Sequence, residues 1–234
     1  MIFKQFFEKE TCTFTYLLAD IETSEAIIID SVVEETEVYL SFLKAHNLKL
    51  KYSIDTHVHA DHVTAHSTLR DKTGCQVLMS KESCVKNADN LFKDGDIITC
   101  GKINLKAIHT PGHTNDSYCF LVNHLLFTGD TLMINATGRT DFQNGDAKAQ
   151  YKSIFSTLKS LPEDIVIYPG HDYNGQTSSN LKEEFAHSPR LQVNSEQEYE
   201  KMMNNLNLDK PHRIEVSVPL NLNCGKSEEL KEKA

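Results

Sequence analysis

Short hydrophobic runs, bounded by polar or turn-forming residues, recur through the first two thirds of the chain. Such runs, when rich in β-branched and aromatic residues, are typical of buried β-strands. Asn123 and His124 separate two of the runs closely enough to predict a β-hairpin. The sequence therefore predicts strands at residues 14–18, 26–29, 50–54, 75–79, 103–108, 118–122, 125–128 and 165–168.

Other segments carry apolar residues at helical spacing. Tyr39, Phe42 and Leu43, for example, would share one face of a helix. The segments predicted as helices are residues 33–46, 63–72, 151–161, 181–187 and 196–206, and residues 214–219 are predicted to be extended. Strands that alternate with helices favour the α/β class. We expect a single domain over residues 1–234, with residues 225–234 as a charged, frayed tail.

Charge and composition exclude several classes of partner. The net charge is −9 and lysines and arginines are not clustered, whereas nucleic-acid binding depends on clustered cations. No apolar run approaches the roughly 20 residues of a membrane-spanning helix, and residues 1–10 lack a signal-peptide pattern. We therefore expect a cytoplasmic protein with no nucleic-acid partner and no membrane contact.

The six cysteines are scattered and include no Cys-x-x-Cys pair. That distribution predicts neither a disulfide framework nor a cysteine-based zinc site. Buried free thiols are the simpler interpretation, and we expect no catalytic cysteine.

One segment concentrates side chains that bind metals. His57, His59, Asp61 and His62 closely follow the predicted strand at 50–54. His57 and His59 are two residues apart, so both side chains face the same way if this loop is extended. Imidazole and carboxylate groups suit Zn²⁺, Fe²⁺ or Mn²⁺, although solvated or helix-capping side chains are the alternative for such a cluster.

Three further candidate ligands follow other predicted strands. His113, Asp130 and His171 each come shortly after an apolar run and close to a glycine, which lets the backbone turn sharply. In α/β enzymes, strand ends from different parts of a sheet commonly converge on one site. The repeated context favours a metal site built from these seven side chains over isolated surface residues.

The segments HVHADH, HTPGH, FTGD and YPGH occur in this order between residues 57 and 171. They resemble the metal-site motifs of the metallo-β-lactamase-like superfamily. The resemblance implies an α/β fold of the αββα sandwich type, with the metal site at one edge.

A second resemblance extends over nearly the whole chain. The segments GRTDFQ (138–143), HDYNG (171–175), SPRL (188–191), NLNLDKP (205–211) and VPLNLNCG (218–225) resemble the glutathione persulfide dioxygenases. Those enzymes oxidise the terminal sulfur of glutathione persulfide with O₂, to sulfite and glutathione. The resemblance therefore implies glutathione persulfide and O₂ as substrates, and one Fe(II) per chain as cofactor.

This resemblance also implies a ligand set. His57, His113 and Asp130 would hold the iron as two histidines and one carboxylate, which leaves positions open for substrate sulfur and O₂. The other four side chains would orient the ligands and bound water. They are His59, Asp61, His62 and His171.

A two-metal hydrolase is the alternative. Hydroxyacylglutathione hydrolases resemble the N-terminal half of the chain and would use two zinc-type ions to cleave a thioester. His57, His59 and His113 would then hold one ion, and Asp130 would bridge the two. Asp61, His62 and His171 would hold the other ion. The region after His171 matches the dioxygenase pattern instead of the helical domain of these hydrolases.

Substrate contacts follow only from the resemblance. It implies that Arg190 and Asn221 bind glutathione, with a surface arginine and turn chemistry as the respective alternatives. Tyr173 is expected either to reach the pocket or to pack locally, and Arg139 to form a buried ion pair that braces Asp130. The resemblance also suggests a homodimer. The remaining histidines are expected at the surface (His46, His124, His187 and His212) or in local hydrogen bonds (His66 and His109).

Overall fold

The computed structural model describes residues 1–226. Within them the chain divides into two compact units. Unit 1 contains residues 1–92, residues 99–104 and the C-terminal segment from Lys210, and unit 2 contains Lys93–Ile98 and Leu105–Asp209. The single domain expected over residues 1–234 stays a prediction.

Unit 1 is built on a six-stranded mixed sheet with strands in sequence order. The first three strands pair antiparallel, and the third to sixth pair parallel. Its strands are β1 (Ile2–Glu8), β2 (Thr13–Ala19), β3 (Glu25–Ile29), β4 (Lys49–Ile54), β5 (Gln76–Ser80) and β6 (Asn90–Phe92). Its helices are α1 (Thr36–Ala45), α2 (His66–Thr73) and α6 (Ile214–Asn221).

The core of unit 1 explains why these segments form. Every residue of β2 is buried, so its side chains face protein on both sides of the sheet. Tyr39 and Leu43 of α1 and Leu69 of α2 pack with β2 and β3 in one hydrophobic cluster. Gly74 ends α2 in the left-handed conformation (φ 72°), which glycine adopts without steric cost.

Unit 2 contains most of a second six-stranded sheet, with the strand order β12-β11-β10-β9-β8-β7. Strands β8 to β10 pair antiparallel in sequence, whereas β10 and β11 pair parallel. The strands are β7 (Ile97–Cys100), β8 (Ile103–His109), β9 (Tyr118–Val122), β10 (Leu125–Gly129), β11 (Val166–Pro169) and β12 (Ser179–Asn180). The helices are α3 (Ala147–Lys152), α4 (Leu181–His187) and α5 (Glu196–Asn204).

Helix α3 continues into a π-helical turn, Ser153–Thr157, and then a 3₁₀ turn, Leu158–Ser160. Ile154 and Leu158 of these turns pack against the sheet together with Tyr199 and Met203 of α5. The helical layer of unit 2 therefore covers one hydrophobic face of its sheet.

Strand direction places the candidate ligands within each unit. In unit 1, β3 and β4 run parallel, so the residues after them, Asp30 and Asp55, lie at the same edge of the sheet. In unit 2, β8, β10 and β11 also point the same way, because two antiparallel pairings separate β8 from β10. Asp130 follows β10 directly, and His171 follows β11 after Gly170.

The α/β class is confirmed, and each predicted strand overlaps an observed one. The hairpin at Asn123 and His124 is also confirmed. Strands β1, β6, β7 and β12 were not predicted. The extended segment expected at 214–219 is wrong, because these residues form α6.

Two further expectations concern the termini and membranes. The frayed tail was expected from residue 225, but Gly225 donates a backbone hydrogen bond to Leu220, 2.8 Å away. The rest of that tail, residues 227–234, lies outside the described residues. Across residues 1–226, no helix combines the length and the apolar character needed to cross a membrane.

Candidate metal centre

Unit 2 brings together three of the predicted ligands. The Nε2 atom of His113 lies 3.6 Å from one carboxylate oxygen of Asp130, and Nε2 of His171 lies 3.7 Å from the other. These separations are too long for hydrogen bonds. Ligand atoms about 2.1 Å from one metal ion lie roughly 3.0–3.5 Å apart, which is close to the separations observed.

The orientation of His113 is set by the backbone of the segment that follows Asp130. The Nδ1 atom of His113 lies 2.7 Å from the carbonyl oxygen of Arg139. A carbonyl oxygen only accepts, so Nδ1 carries the proton and Nε2 keeps its lone pair for a metal. A Cβ at Gly138 would approach Nδ1 of His113 to 2.7 Å, and one at Gly170 would approach Asp130 Oδ1 to 2.6 Å. Glycine at both positions therefore leaves room for the ligands.

Unit 1 contributes the ligand loop, defined here as residues 55–65 between β4 and α2. The rings of His57 and His62 each lie with their centroids 4.3 Å from the ring centroid of His59. Ligand atoms of His59, Asp61 and His62 lie within 4.8 Å of one another. The ligand loop therefore brings these four side chains together, and their role as metal ligands stays a prediction.

Asp30 organises the first half of the ligand loop. Its carboxylate accepts hydrogen bonds from the backbone N–H of Thr56 at 2.6 Å and from the hydroxyl of Thr56 at 3.0 Å. The same carboxylate lies 3.1 Å from Nε2 of His59, so Nδ1 of His59 is the nitrogen left to bind a metal. Burial would lower the pKa of His59, but the nearby carboxylates of Asp30, Asp55 and Asp61 raise it to about 10.

The two ends of the ligand loop are joined by buried polar groups. Nε2 of His66, the first residue of α2, lies 3.0 Å from Asp55, and Nδ1 of His66 lies 2.8 Å from the hydroxyl of Ser53. Burial would raise the pKa of Asp55, but the imidazole of His66 outweighs burial, and this pKa is lowered. The expected local role of His66 is confirmed.

Several buried polar atoms have no hydrogen-bond partner among the described residues. Nδ1 of His59, Nε2 of His62 and Oδ1 of Asp130 are three of them. Buried polar atoms of this kind require a partner, since an unpaired one costs about 1–3 kcal/mol. All three belong to side chains that bind a metal once deprotonated, and metal binding releases such protons, so the residues present fit a bound metal cation. Both units therefore contain histidine and aspartate side chains that could bind a metal.

The predicted substrate residues differ in their surroundings. Arg190 is half-buried in unit 2 and donates to the carbonyl oxygen of Thr137, and burial lowers its pKa. Tyr173 is 69 % exposed, with its ring 6.1 Å from the ring of His171 and nearly parallel to it. Asn221 is buried in unit 1, where its side chain bonds to backbone atoms of the ligand loop.

Arg139 forms the ion pair expected of its Arg-Thr-Asp segment, but that pair is not buried. Its guanidinium contacts Asp141 at 2.6 and 2.8 Å, in an arrangement that is partly exposed, and it donates to the carbonyl oxygen of Asp209. Arg139 thus supports the site through its carbonyl group, which accepts from His113, and its side chain pairs with a different acid from Asp130.

The remaining histidines and cysteines largely follow expectation. His46, His124, His187 and His212 are exposed, and His109 lies 3.0 Å from the carbonyl oxygen of Asn115. All six cysteines are free thiols, of which Cys12 and Cys84 are not buried.

Asp30 and Asp55 had no predicted role. Both follow buried strands, which is the same sequence context that marked Asp130. That signal could have found them, but it does not distinguish a metal ligand from an acid that orients a ligand.

Comparison with known proteins agrees with this geometry. Residues 13–171 match the Metallo-beta-lactamase superfamily. The persulfide dioxygenase ETHE1 of Homo sapiens is 44 % identical over 228 residues, which cover 96 % of this chain and 89 % of the human protein. The chain belongs to the metallo-β-lactamase superfamily, within its persulfide dioxygenase family.

Two further relatives show how far the likeness extends. The crystal structure of ETHE1 from Myxococcus xanthus superposes with a TM-score of 0.94 at 41 % identity, covering 97 % of this chain and all of that chain. A probable hydroxyacylglutathione hydrolase of Schizosaccharomyces pombe is 35 % identical over 177 residues, which are 72 % of this chain and 66 % of that protein. The metallo-β-lactamase fold predicted from the motifs is therefore confirmed.

Proposed function

We propose that this metallo-β-lactamase superfamily member is a persulfide dioxygenase that oxidises the terminal sulfur of glutathione persulfide with O₂. The products are sulfite and glutathione. The observation that carries the proposal is the extent of the likeness. The likeness to the human persulfide dioxygenase covers 96 % of this chain, whereas the likeness to the probable hydrolase of S. pombe covers 72 %.

His57, His113 and Asp130 are the proposed ligands of a single Fe(II). Thr56 lies 3.0 Å from Nδ1 of His57, and the carbonyl oxygen of Arg139 accepts from Nδ1 of His113, so each ring has its Nε2 atom available. These three side chains would hold the iron, which would supply the activation of O₂ that sulfur oxidation requires.

The neighbouring side chains orient these ligands and accept or supply protons. Asp61 lies 2.8 Å from Nδ1 of His62. The buried Nε2 of His62 is therefore the ring nitrogen that can accept or supply a proton. His171 lies beside Asp130, where its imidazole can hold a proton near the carboxylate. His59 is held by Asp30. None of these four side chains needs to touch the iron in this proposal.

Glutathione carries two carboxylates, and Arg190 and Tyr173 are the proposed contacts. The half-buried guanidinium of Arg190 uses one amino group on Thr137, and its other N–H donors suit a carboxylate. The exposed ring of Tyr173 offers an apolar surface next to His171. The homodimer and the cytoplasmic location stay predictions, and the human and mouse relatives are described as mitochondrial.

A two-metal thioester hydrolase is the second candidate. The grouping of His59, Asp61 and His62 favours it, because Asp61 and His62 belong to the set predicted for a second zinc-type ion and His59 to the set of the first. The S. pombe relative, a probable hydroxyacylglutathione hydrolase, supports the same alternative.

Metal content and oxygen uptake together test the proposal. Protein purified anaerobically should contain one iron per chain and consume O₂ when glutathione persulfide is added. Two zinc-type ions per chain, turnover of S-lactoylglutathione and no O₂ uptake would replace the dioxygenase with the hydrolase. A control with glutathione in place of its persulfide should consume no O₂.

A further inference from the structure

The side-chain amide of Asn221, at the end of α6, is fully engaged with the ligand loop. Its Oδ1 accepts from the backbone N–H of Thr64 at 2.9 Å. Its Nδ2 donates to the carbonyl oxygens of His59 at 2.9 Å and His62 at 2.8 Å. Both amide hydrogens are therefore used, and the side chain is 2 % exposed.

The turn after Asn221 contacts the same region of unit 1. The carbonyl oxygen of Cys224 accepts from the backbone N–H of Ser67, in the first turn of α2, at 3.0 Å. Gly225 lies so close to Thr64 that a Cβ on the glycine would collide with the Thr64 carbonyl oxygen. We call residues 221–225 the C-terminal clamp.

The ligand loop depends on such contacts because it has little regular structure of its own. Only Thr64 takes part in a β-bridge, with Val32. The two carbonyl groups that Asn221 binds belong to His59 and His62, and each of these side chains has a buried ring nitrogen with no hydrogen-bond partner among the described residues. Fixing those two carbonyls fixes the backbone from which both imidazoles extend, and also the segment that follows His57.

We propose that Asn221 is a positioning residue for the metal centre and not a glutathione contact. This inference rests on the proposed metal site, although not on the reaction carried out there. Since neither amide hydrogen remains for a substrate carboxylate, Asn221 acts by holding the ligand loop in its metal-binding geometry. The C-terminal clamp thereby makes metal affinity depend on a segment remote in sequence from every ligand.

Metal titration without substrate tests the inference directly. Co²⁺ is added anaerobically to metal-free wild type, Asn221→Ala and Asn223→Ala, and binding is followed by visible absorption. We expect Asn221→Ala to raise the dissociation constant for Co²⁺ about 10- to 100-fold and to change the spectrum, as loss of an outer partner of metal ligands does. Asn223→Ala is the matched control, because Asn223 bonds to Asn87 and to Lys226 and to no atom of the ligand loop.

A pair of glycine variants provides a second test, which does not depend on whether Asn221→Ala folds. Gly225 and Gly74 have similar left-handed backbones, with φ of 74° and 72°. No atom lies within 4 Å of a Cβ built on Gly74, whereas a Cβ on Gly225 meets Thr64. Both alanine variants carry the same backbone strain, so Gly225→Ala should weaken Co²⁺ binding and Gly74→Ala should not.

The competing outcomes are distinct. If Asn221→Ala binds Co²⁺ with unchanged affinity and spectrum and shows a raised KM for glutathione persulfide, Asn221 contacts substrate and the inference is overturned. Lower thermal stability with unchanged Co²⁺ binding would also overturn it. A finding of two zinc-type ions and thioesterase activity would overturn the proposed function alone, because the clamp would still hold the same loop.

Discussion

His113 and His59 are oriented by different groups. One ring nitrogen of His113 lies within hydrogen-bond distance of a backbone carbonyl group, and one ring nitrogen of His59 lies within that distance of a carboxylate. The carbonyl oxygen of Arg139 fixes the proton on Nδ1 of His113, whereas Asp30 lies 3.1 Å from Nε2 of His59. The two imidazoles are therefore oriented through different nitrogens, Nδ1 of His113 and Nε2 of His59. These acceptors decide which nitrogen is available before any metal arrives.

Asp130 and His171 distinguish the two metal stoichiometries. Asp130→Ala should bind no iron and show no activity, because it removes the only carboxylate of the proposed iron set. His171→Ala should keep about one iron per chain, since His171 lies outside the proposed iron ligand set. Iron analysis of both variants, purified anaerobically, measures this difference.

The iron content of His171→Ala is the measurement that decides between the two ligand sets. Loss of all iron from this variant would contradict the mononuclear ligand set. His187→Ala serves as its control, because the side chain of His187 is 71 % exposed and far in sequence from every ligand.

Helices α3 and α5 of unit 2 are joined by a buried polar network beside the segment that orients His113. The hydroxyl of Tyr199 on α5 donates to Oε1 of Gln150 on α3 at 2.8 Å and lies 3.2 Å from the hydroxyl of Thr137. Gln150 in turn donates to the carbonyl oxygen of Gly138 at 3.1 Å. Desolvation by burial raises the pKa of Tyr199 to about 12, so the phenol stays protonated at neutral pH and can donate.

Tyr199→Phe should lower the free energy of unfolding by about 1–3 kcal/mol, because it leaves the buried amide oxygen of Gln150 without this donor. Chemical denaturation at neutral pH measures the change. Tyr173→Phe is the matched control: its ring is 69 % exposed, so removing its hydroxyl should change stability by less than about 0.5 kcal/mol. Equal effects in the two variants would show that the buried network is not stabilising.

For the chain as a whole, the proposed ligands His57, His113 and Asp130 are far apart in sequence. A metal that binds only the folded chain stabilises it by mass action, by about 2.7 kcal/mol at a free concentration of 100 times the dissociation constant. For a chain of this length that corresponds to a rise of roughly 5–10 °C in the unfolding temperature.

Differential scanning calorimetry, with Fe(II) added anaerobically to the metal-free protein, measures that rise. Asp130→Ala should show none at the same iron concentration. A rise of equal size in Asp130→Ala would mean that the stabilising iron binds elsewhere.

Much of the fold could be predicted because the strands that build both sheets are apolar. Segments such as β2 and β10 are buried along their whole length, so their hydrophobic runs identify them without knowledge of their partners. The candidate ligands could be predicted for a related reason. They are polar residues placed shortly after such runs, and His113, Asp130 and His171 also follow a glycine.

The C-terminal segment shows where local pattern fails. Ile214, Val216 and Val218 alternate as in a strand, yet they lie in α6, whose buried residues are the polar Ser217 and Asn221. Val216 is 57 % exposed. Asn221, the last residue of this helix, bonds to a loop more than 150 positions earlier in the chain, and no local propensity contains that information.

The amino-acid sequence thus sufficed for the chemistry of the metal ligands, the strands before them and the family, because each depends on residue type and near neighbours. Only the tertiary structure shows which nitrogen of each histidine is oriented by a neighbouring group, and that Asp30 and Asp55 support the ligand loop. It also shows that the side chain of Asn221 hydrogen-bonds to backbone atoms of that loop. These features depend on hydrogen bonds between residues far apart in the chain. Their geometry exists only once the sheets and helices have packed.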